Sequence, residues 1–180
     1  VFGTTLDVSG ASSIGADFTT TGNQTYTGNV TLTAAGQTLT TTSNGNISFG
    51  GTIDGSTKNL TLDTGLTSGT ISVTGAVGSG AALGTLTISK SAGTTFSSTV
   101  NAATVTLTAT TGTITFTGAL TAGTLSTANA GYNVAINGGG TITNAATFSN
   151  TGTLTLAGTT AFTAGVTATS PTTVYLGGTV

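Results

Sequence analysis

The sequence predicts an all-β fold, a parallel β-solenoid of about eight coils, and three observations lead there. Apolar and polar residues alternate in short runs along nearly the whole chain, as in Ile47-Ser-Phe49, Leu60-Thr-Leu62, Ile71-Ser-Val73 and Leu86-Thr-Ile88. A period of two gives a strand one buried face. No stretch keeps the 3.6-residue apolar spacing of a helix. The runs also recur: between Asn46 and Gly93 two consecutive copies each hold a strand, a polar excursion, a second strand and a closing glycine, Gly69 or Gly93. A unit of two short strands cannot bury its inner face alone, whereas stacked copies can.

Closing glycines at Gly22, Gly45, Gly69, Gly93, Gly112, Gly131 and Gly152 are spaced by 23, 24, 24, 19, 19 and 21 residues, so a coil takes 19–24 residues. The first coil offers Leu6, Val8, Ile14 and Phe18 to the interior, and the second Tyr26, Val30, Leu32 and Leu39. Coil three adds Ile47, Phe49, Ile53, Leu60 and Leu62, and coil four Ile71, Val73, Val77, Leu86 and Ile88. Coil five gives Phe96, Val100, Val105 and Leu107, so Leu62, Ile88 and Leu107 are expected in one inward column. Phe96 stands one residue closer to its glycine than Val73 does, which predicts a bulge or corner slip there. Coil six contributes Ile114, Phe116, Leu120 and Leu125. Coil seven contributes Val134, Ile136, Ile142 and Phe148, turning at Asn137-Gly-Gly-Gly140. Coil eight brings Leu154, Leu156, Phe162 and Val166, and a last strand, Val174-Tyr-Leu176, follows Pro171 at a corner. The excursion after the first strand shrinks from 78–85 in coil four to 101–104 in coil five, so length variation is expected at one corner. With no internal linker, residues 1–180 read as a single solenoid segment within a longer array or fibre.

Composition removes several function classes. The 180 residues include no His, Cys, Met or Trp, and the only charges are Asp7, Asp17, Asp54, Asp63, Lys58 and Lys90. Two cations cannot neutralise a phosphate backbone or an anionic membrane, so no nucleic acid and no membrane insertion are expected. No apolar run is long enough to span a bilayer. The opening Val1-Phe-Gly-Thr-Thr5 has neither an initiating Met nor a signal peptide, which reads as an internal or processed piece. The first strands, with Val1, Phe2, Leu6 and Val8, and the last, with Val174, Tyr175 and Leu176, carry only Asp7 as a deterrent to pairing. Such edges are expected to be covered by further coils of the same chain or by identical copies stacked end to end.

The residues needed for catalysis are missing. Serine and threonine nucleophiles require a base, and the chain has no His. A carboxylate pair would have to come from Asp54 and Asp63, which the excursion between them assigns to a turn and to a strand end. Gly50-Gly-Thr-Ile-Asp54 departs from the calcium-binding solenoid spacing and occurs once, and Gly138-Gly-Gly140 lacks the helix and Lys of a phosphate cradle. The expectation is therefore a non-enzyme with no catalytic, cofactor-binding or metal-binding residue. Sequons at Asn23, Asn29, Asn46 and Asn59 are expected by chance in so Asn- and Thr-rich a chain. Lys90 and Asp63 are placed to meet across neighbouring coils as an exposed pair. Outward Thr61, Thr87 and Thr106, continued by Ser126, form a ladder of hydroxyls and methyls that can order water, which makes an ice-binding face one reading. Asp63 in the adjacent column and unequal coil lengths argue against it, and β propensity alone accounts for threonine there.

At Thr20-Thr-Gly-Asn-Gln-Thr-Tyr26, Gly28-Asn-Val-Thr-Leu32 and Gly45-Asn-Ile-Ser-Phe-Gly-Gly-Thr-Ile-Asp-Gly55 the chain resembles the repeats of giant secreted bacterial proteins, the filamentous-haemagglutinin-like adhesins and related surface proteins. The match is closest over residues 13–65 and compositional beyond. The resemblance implies export, a right-handed parallel β-helix and a stalk or adhesive fibre at the bacterial surface, with no catalytic residue; the charge-poor Thr, Ser and Asn surface can meet a glycan or a protein alike. A self-assembling filament subunit, an ice-binding protein and an enzyme are the competing classes; polymerisation, ice shaping and polysaccharide hydrolysis separate them.

Overall fold

The computed structural model describes residues 2–65 and 68–180, and over these it is a parallel β-solenoid of about eight coils without a helix. Val1, expected in the first edge strand, lies outside the described residues. Each coil passes through three faces, and every strand pairing between coils is parallel. The first face stacks Leu6–Val8, Gln24–Tyr26, Ile47–Phe49, Thr70–Val73, Gly93–Phe96, Thr113–Phe116, Asn133–Ile136, Thr153–Leu156 and Thr173–Leu176. The second begins with Ser12–Ile14, Val30–Leu32 and Ile53–Asp54. The third begins with Phe2–Gly3, Phe18–Thr20, Gly36–Thr41 and Asn59–Asp63. In the middle of the rod the long strands Leu83–Ser91, Val100–Thr110 and Leu120–Thr127 run around the corner between the second and third faces.

Alternation does place the expected side chains inside. Leu62 pairs with Ile88 and Ile88 with Leu107, all three fully buried, and Leu39 extends the column below them. Stacked rings add geometry to area: Tyr26 lies on Phe49 with centroids 5.0 Å apart, and Phe96 on Phe116 at 5.1 Å. Buried Leu83, Ala102, Ala122, Tyr132 and Ala146 were not among the expected inward residues.

The repeat differs from the one marked by the glycines. Along the first face Gln24 pairs with Ile47, then Ile71, Thr94, Ile114, Val134, Leu154 and Val174, giving steps of 23, 24, 23, 20, 20, 20 and 20. Gly93 is paired with Thr70, one place past the corner that Ala92 occupies, and Gly131 precedes the corner residue Tyr132. Phe96 is consequently in register with Val73, and the slip lies elsewhere: Leu62 pairs with Ile88 but Asp63 with Lys90, which leaves Ser89 as the bulged residue.

Two corners vary in length. At the corner between the third and first faces the Oγ1 atoms of Thr20, Thr41 and Thr64 donate to the carbonyls of Gly22, Gly45 and Gly69, at 2.6, 2.6 and 2.8 Å. The three loops so closed differ in length, yet the buried hydroxyl satisfies the turn carbonyl in each. Gln24, also buried, donates to the Thr40 and Phe18 carbonyls and accepts from the Tyr26 hydroxyl.

The last coil is a correction to the expected core. Val166, in register with buried Ala146, points inward but is exposed, and Phe162 is only partly buried, because no described coil lies above them. At the other end Leu6 and Val8, in the first strand of the first face, are partly buried because no described strand lies below them, and Phe18 on the third face is partly buried as well.

Candidate functional surface

The charged residues do not converge. Asp54 lies on the second face, where its carboxylate accepts from Ser79 Oγ at 3.2 Å and the Gly80 N–H at 2.9 Å. Asp63 lies on the third face and accepts from the Gly65 N–H at 3.0 Å and Ser89 Oγ at 3.2 Å. Asp63 and Lys90 are register neighbours, but no ion pair joins them among the described residues. Asp17 accepts the Thr38 N–H at 2.7 Å. Among the described residues no three His, Cys, Asp or Glu side chains gather as a metal site.

Gly138-Gly-Gly140 is a corner, as expected. Gly139 has φ 68° and Gly140 φ 134°, and a Cβ at either would meet the backbone of the adjacent coil, Thr159 or Leu120. A cleft of about 360 Å³ opens where two excursions meet on the second face, lined by Leu32, Asp54, Ser56, Lys58 and Ala81 among others. Its carboxylate is already engaged by Ser79 and Gly80.

The asparagines prove to be structural. Asn23 Oδ1 accepts the Asn46 N–H at 2.9 Å, Asn29 that of Thr52 at 3.1 Å, Asn46 that of Thr70 at 2.9 Å and Asn59 that of Thr85 at 2.7 Å. In each case a side chain of one coil holds a backbone donor of the next. Asn133 does the same for Thr153 at 2.8 Å. Their recurrence before a strand, which in sequence looks like a chance of composition, is the imprint of one inter-coil contact repeated.

The outward ladder is longer than the sequence suggested. Thr38, Thr61, Thr87, Thr106, Ser126, Thr147 and Thr167 are successive register partners on the third face. Beside them Thr85, Thr104 and Thr124 form a second column, with Leu86, Val105 and Leu125 pointing inward between the two.

Burial raises the two interior phenols to about 12. For Tyr26 desolvation is the cause; for Tyr132 desolvation outweighs the opposing hydrogen bonds of the Ala128 backbone and the Thr127 side chain. The Tyr132 hydroxyl also donates to the Leu107 carbonyl at 3.0 Å. These tyrosines lie inside the rod, away from its surface.

No helix among the described residues is long and apolar enough to cross a membrane. No family model, curated protein or solved structure matches the chain.

Proposed function

We propose that this chain is a structural segment, a stalk or fibre, of a bacterial extracellular adhesin or surface filament, and that it works by extension and not by catalysis. The observation that carries the reading is the continuous pairing of coil on coil: on the first face the apolar column from Val8 through Tyr26, Phe49, Val73, Phe96, Phe116, Ile136 and Leu156 to Leu176 runs the length of the rod, and Asn side chains tie coil to coil. Eight coils at ~4.8 Å give a rod of roughly 38 Å, stiffened without disulfide or metal. Adhesion to a glycan or protein partner is assigned to other parts of the assembly or to the charge-poor sides of this one. Antibody raised against the 180-residue chain, applied to intact producing cells under immuno-electron microscopy, should label extended structures outside the outer surface. Labelling confined to the cell interior would defeat the proposal.

A second reading, a filament subunit stacking head to tail, draws on the exposure of Val166, Val174 and Leu176. These side chains continue the columns of Ala146, Leu154 and Leu156, so a further coil or a second copy would bury them. Light scattering and electron microscopy of the purified chain decide this reading: end-to-end fibres support it, and a monomer at high concentration refutes it.

A further inference from the structure

We propose that Asn44-Gly45, at the corner between the third and first faces, is a site of spontaneous covalent modification whose products are aspartate and isoaspartate. The proposal does not depend on whether the rod serves as a stalk. In the reaction the Gly45 amide nitrogen gives up its proton and attacks the carboxamide carbon of Asn44. A bond forms between that nitrogen and Cγ, the Cγ–Nδ2 bond breaks, and Nδ2 leaves with the proton as ammonia. Water then opens the five-membered imide at one of its two carbonyls. One opening gives aspartate; the other gives isoaspartate, in which the main chain runs through the former side chain. Beyond water the step needs no co-reactant, and a glycine on the attacking side has no Cβ to hinder it.

Three dipeptides of the chain place Asn or Asp before Gly, where closure is least hindered, and the structure treats them differently. Asn44-Gly45 and Asn137-Gly138 are the Asn-Gly pairs, and Asp54-Gly55 is the Asp-Gly pair. At Asn137-Gly138 the attacking nitrogen is occupied: the Gly138 N–H donates to the Phe116 carbonyl at 3.2 Å, and the Asn137 N–H donates to the same oxygen at 2.8 Å. That pair is also clasped between coils, since a Cβ at Gly138 would meet the Gly118 backbone and one at Gly158 would meet the Asn137 carbonyl. At Asp54-Gly55 the side chain is fixed by Ser79 Oγ at 3.2 Å and the Gly80 N–H at 2.9 Å.

Asn44-Gly45 has none of these restraints on its reacting atoms. Asn44 is exposed, and among the described residues neither its carboxamide nor the Gly45 N–H makes a hydrogen bond. The backbone adds a second observation: Asn44 has φ 61°, in a bend outside every strand, so turning the two groups together breaks no pairing of the parallel ladder. The consequence of the reaction is local and structural. Aspartate adds a negative charge to a chain that has few. Isoaspartate inserts a methylene into the main chain just before Gly45, whose far side has no slack: the Gly45 carbonyl accepts from Thr41 Oγ1 at 2.6 Å, and a Cβ on Gly45 would meet the Gly22 backbone of the coil below. The added atom therefore loosens the corner that the Thr41 hydroxyl closes.

Incubation of the purified 180-residue chain in mildly alkaline buffer, below the range in which the buried tyrosines ionise, tests this. Peptide mass spectrometry follows each asparagine, and enzymatic methylation detects isoaspartate. In the folded chain Asn44 should convert roughly five-fold faster than Asn137 or more, the factor that one backbone hydrogen bond is worth. In urea, where both pairs are free, that ratio should fall toward one. The incubated chain should melt at a lower temperature than the fresh one. Asn44→Gly, which suits the left-handed φ and has no carboxamide, should be incubated without that shift. The proposal is overturned if Asn137 converts as fast as Asn44 in the folded chain, if Asn44 is intact when the chain in urea has fully converted, or if Asn44→Gly loses as much stability as wild type.

Discussion

The eighth coil and the final strand above it carry the same inward pattern and meet opposite fates. Leu154 and Leu156 are 0 and 2% exposed, whereas their register partners Val174 and Leu176 are 38 and 66% exposed. The side chains point the same way on the same face, so burial here is a gift of the next coil and owes little to the coil's own residues. Each coil is half of an interface, which is the property that makes a solenoid additive along one axis and vulnerable at its ends.

The largest effect should come from charging an interior position. Ile88→Asp buries an unpaired carboxylate between Leu62 and Leu107 and should cost roughly 4–5 kcal/mol, a large share of the stability of an ordinary domain. Thr87→Asp, one residue away and outward, should cost under about 1 kcal/mol. Thermal melts of the two variants check the assignment of faces, and equal losses would break it.

Alkali should separate interior from surface next. Tyr26 and Tyr132 ionise near 10 in the unfolded chain but are held at about 12 when folded. A raised acid pKa is stabilising below the unfolded value, so stability should be constant up to about pH 10 and fall between about 10 and 12. The loss approaches roughly 3 kcal/mol per tyrosine. Denaturant midpoints taken across this range, with Tyr132→Phe as a reference that removes one of the two terms, provide the measurement.

An exception within the interior sharpens the comparison in the other direction. Gln37 occupies the column of Leu60, Leu86, Val105 and Leu125, is 2% exposed, and neither polar atom of its amide has a hydrogen-bond partner. Desolvating an amide without compensation is costly, so Gln37→Leu should stabilise the chain by roughly 1–3 kcal/mol. A midpoint unchanged or lowered in urea would show that the amide is satisfied in solution. The smallest effect belongs to the open edge: Leu176→Asp should change stability by about 0.5 kcal/mol or less, against the several expected at Ile88.

Much of this was legible in the residues themselves. Alternation assigned Leu62, Ile88 and Leu107 to one column because a period of two leaves no other face for them. The glycines misled where other residues take the corner, as Ala92 and Tyr132 do, since a tight turn can be built without glycine when φ stays negative. Buried polar groups such as Gln24 and Thr41 were invisible for a related reason: a pattern that reads polarity as outward cannot see a hydroxyl turned in to cap a carbonyl. The ladder was glimpsed through Thr61, Thr87 and Thr106, but its continuation to Thr38 and Thr147 and its second column depend on register across insertions of unequal length. Nothing in a linear spacing fixes that register.

Hydrogen exchange along the first face tests most directly whether each coil is protected by the one above it. Peptides covering Ile47–Phe49, Thr113–Phe116 and Asn133–Ile136 should exchange slowly and at similar rates, and Thr173–Leu176 should exchange far faster while Thr153–Leu156 remains protected. A profile in which Thr173–Leu176 is as slow as Thr113–Phe116 in a monomeric sample would contradict the account.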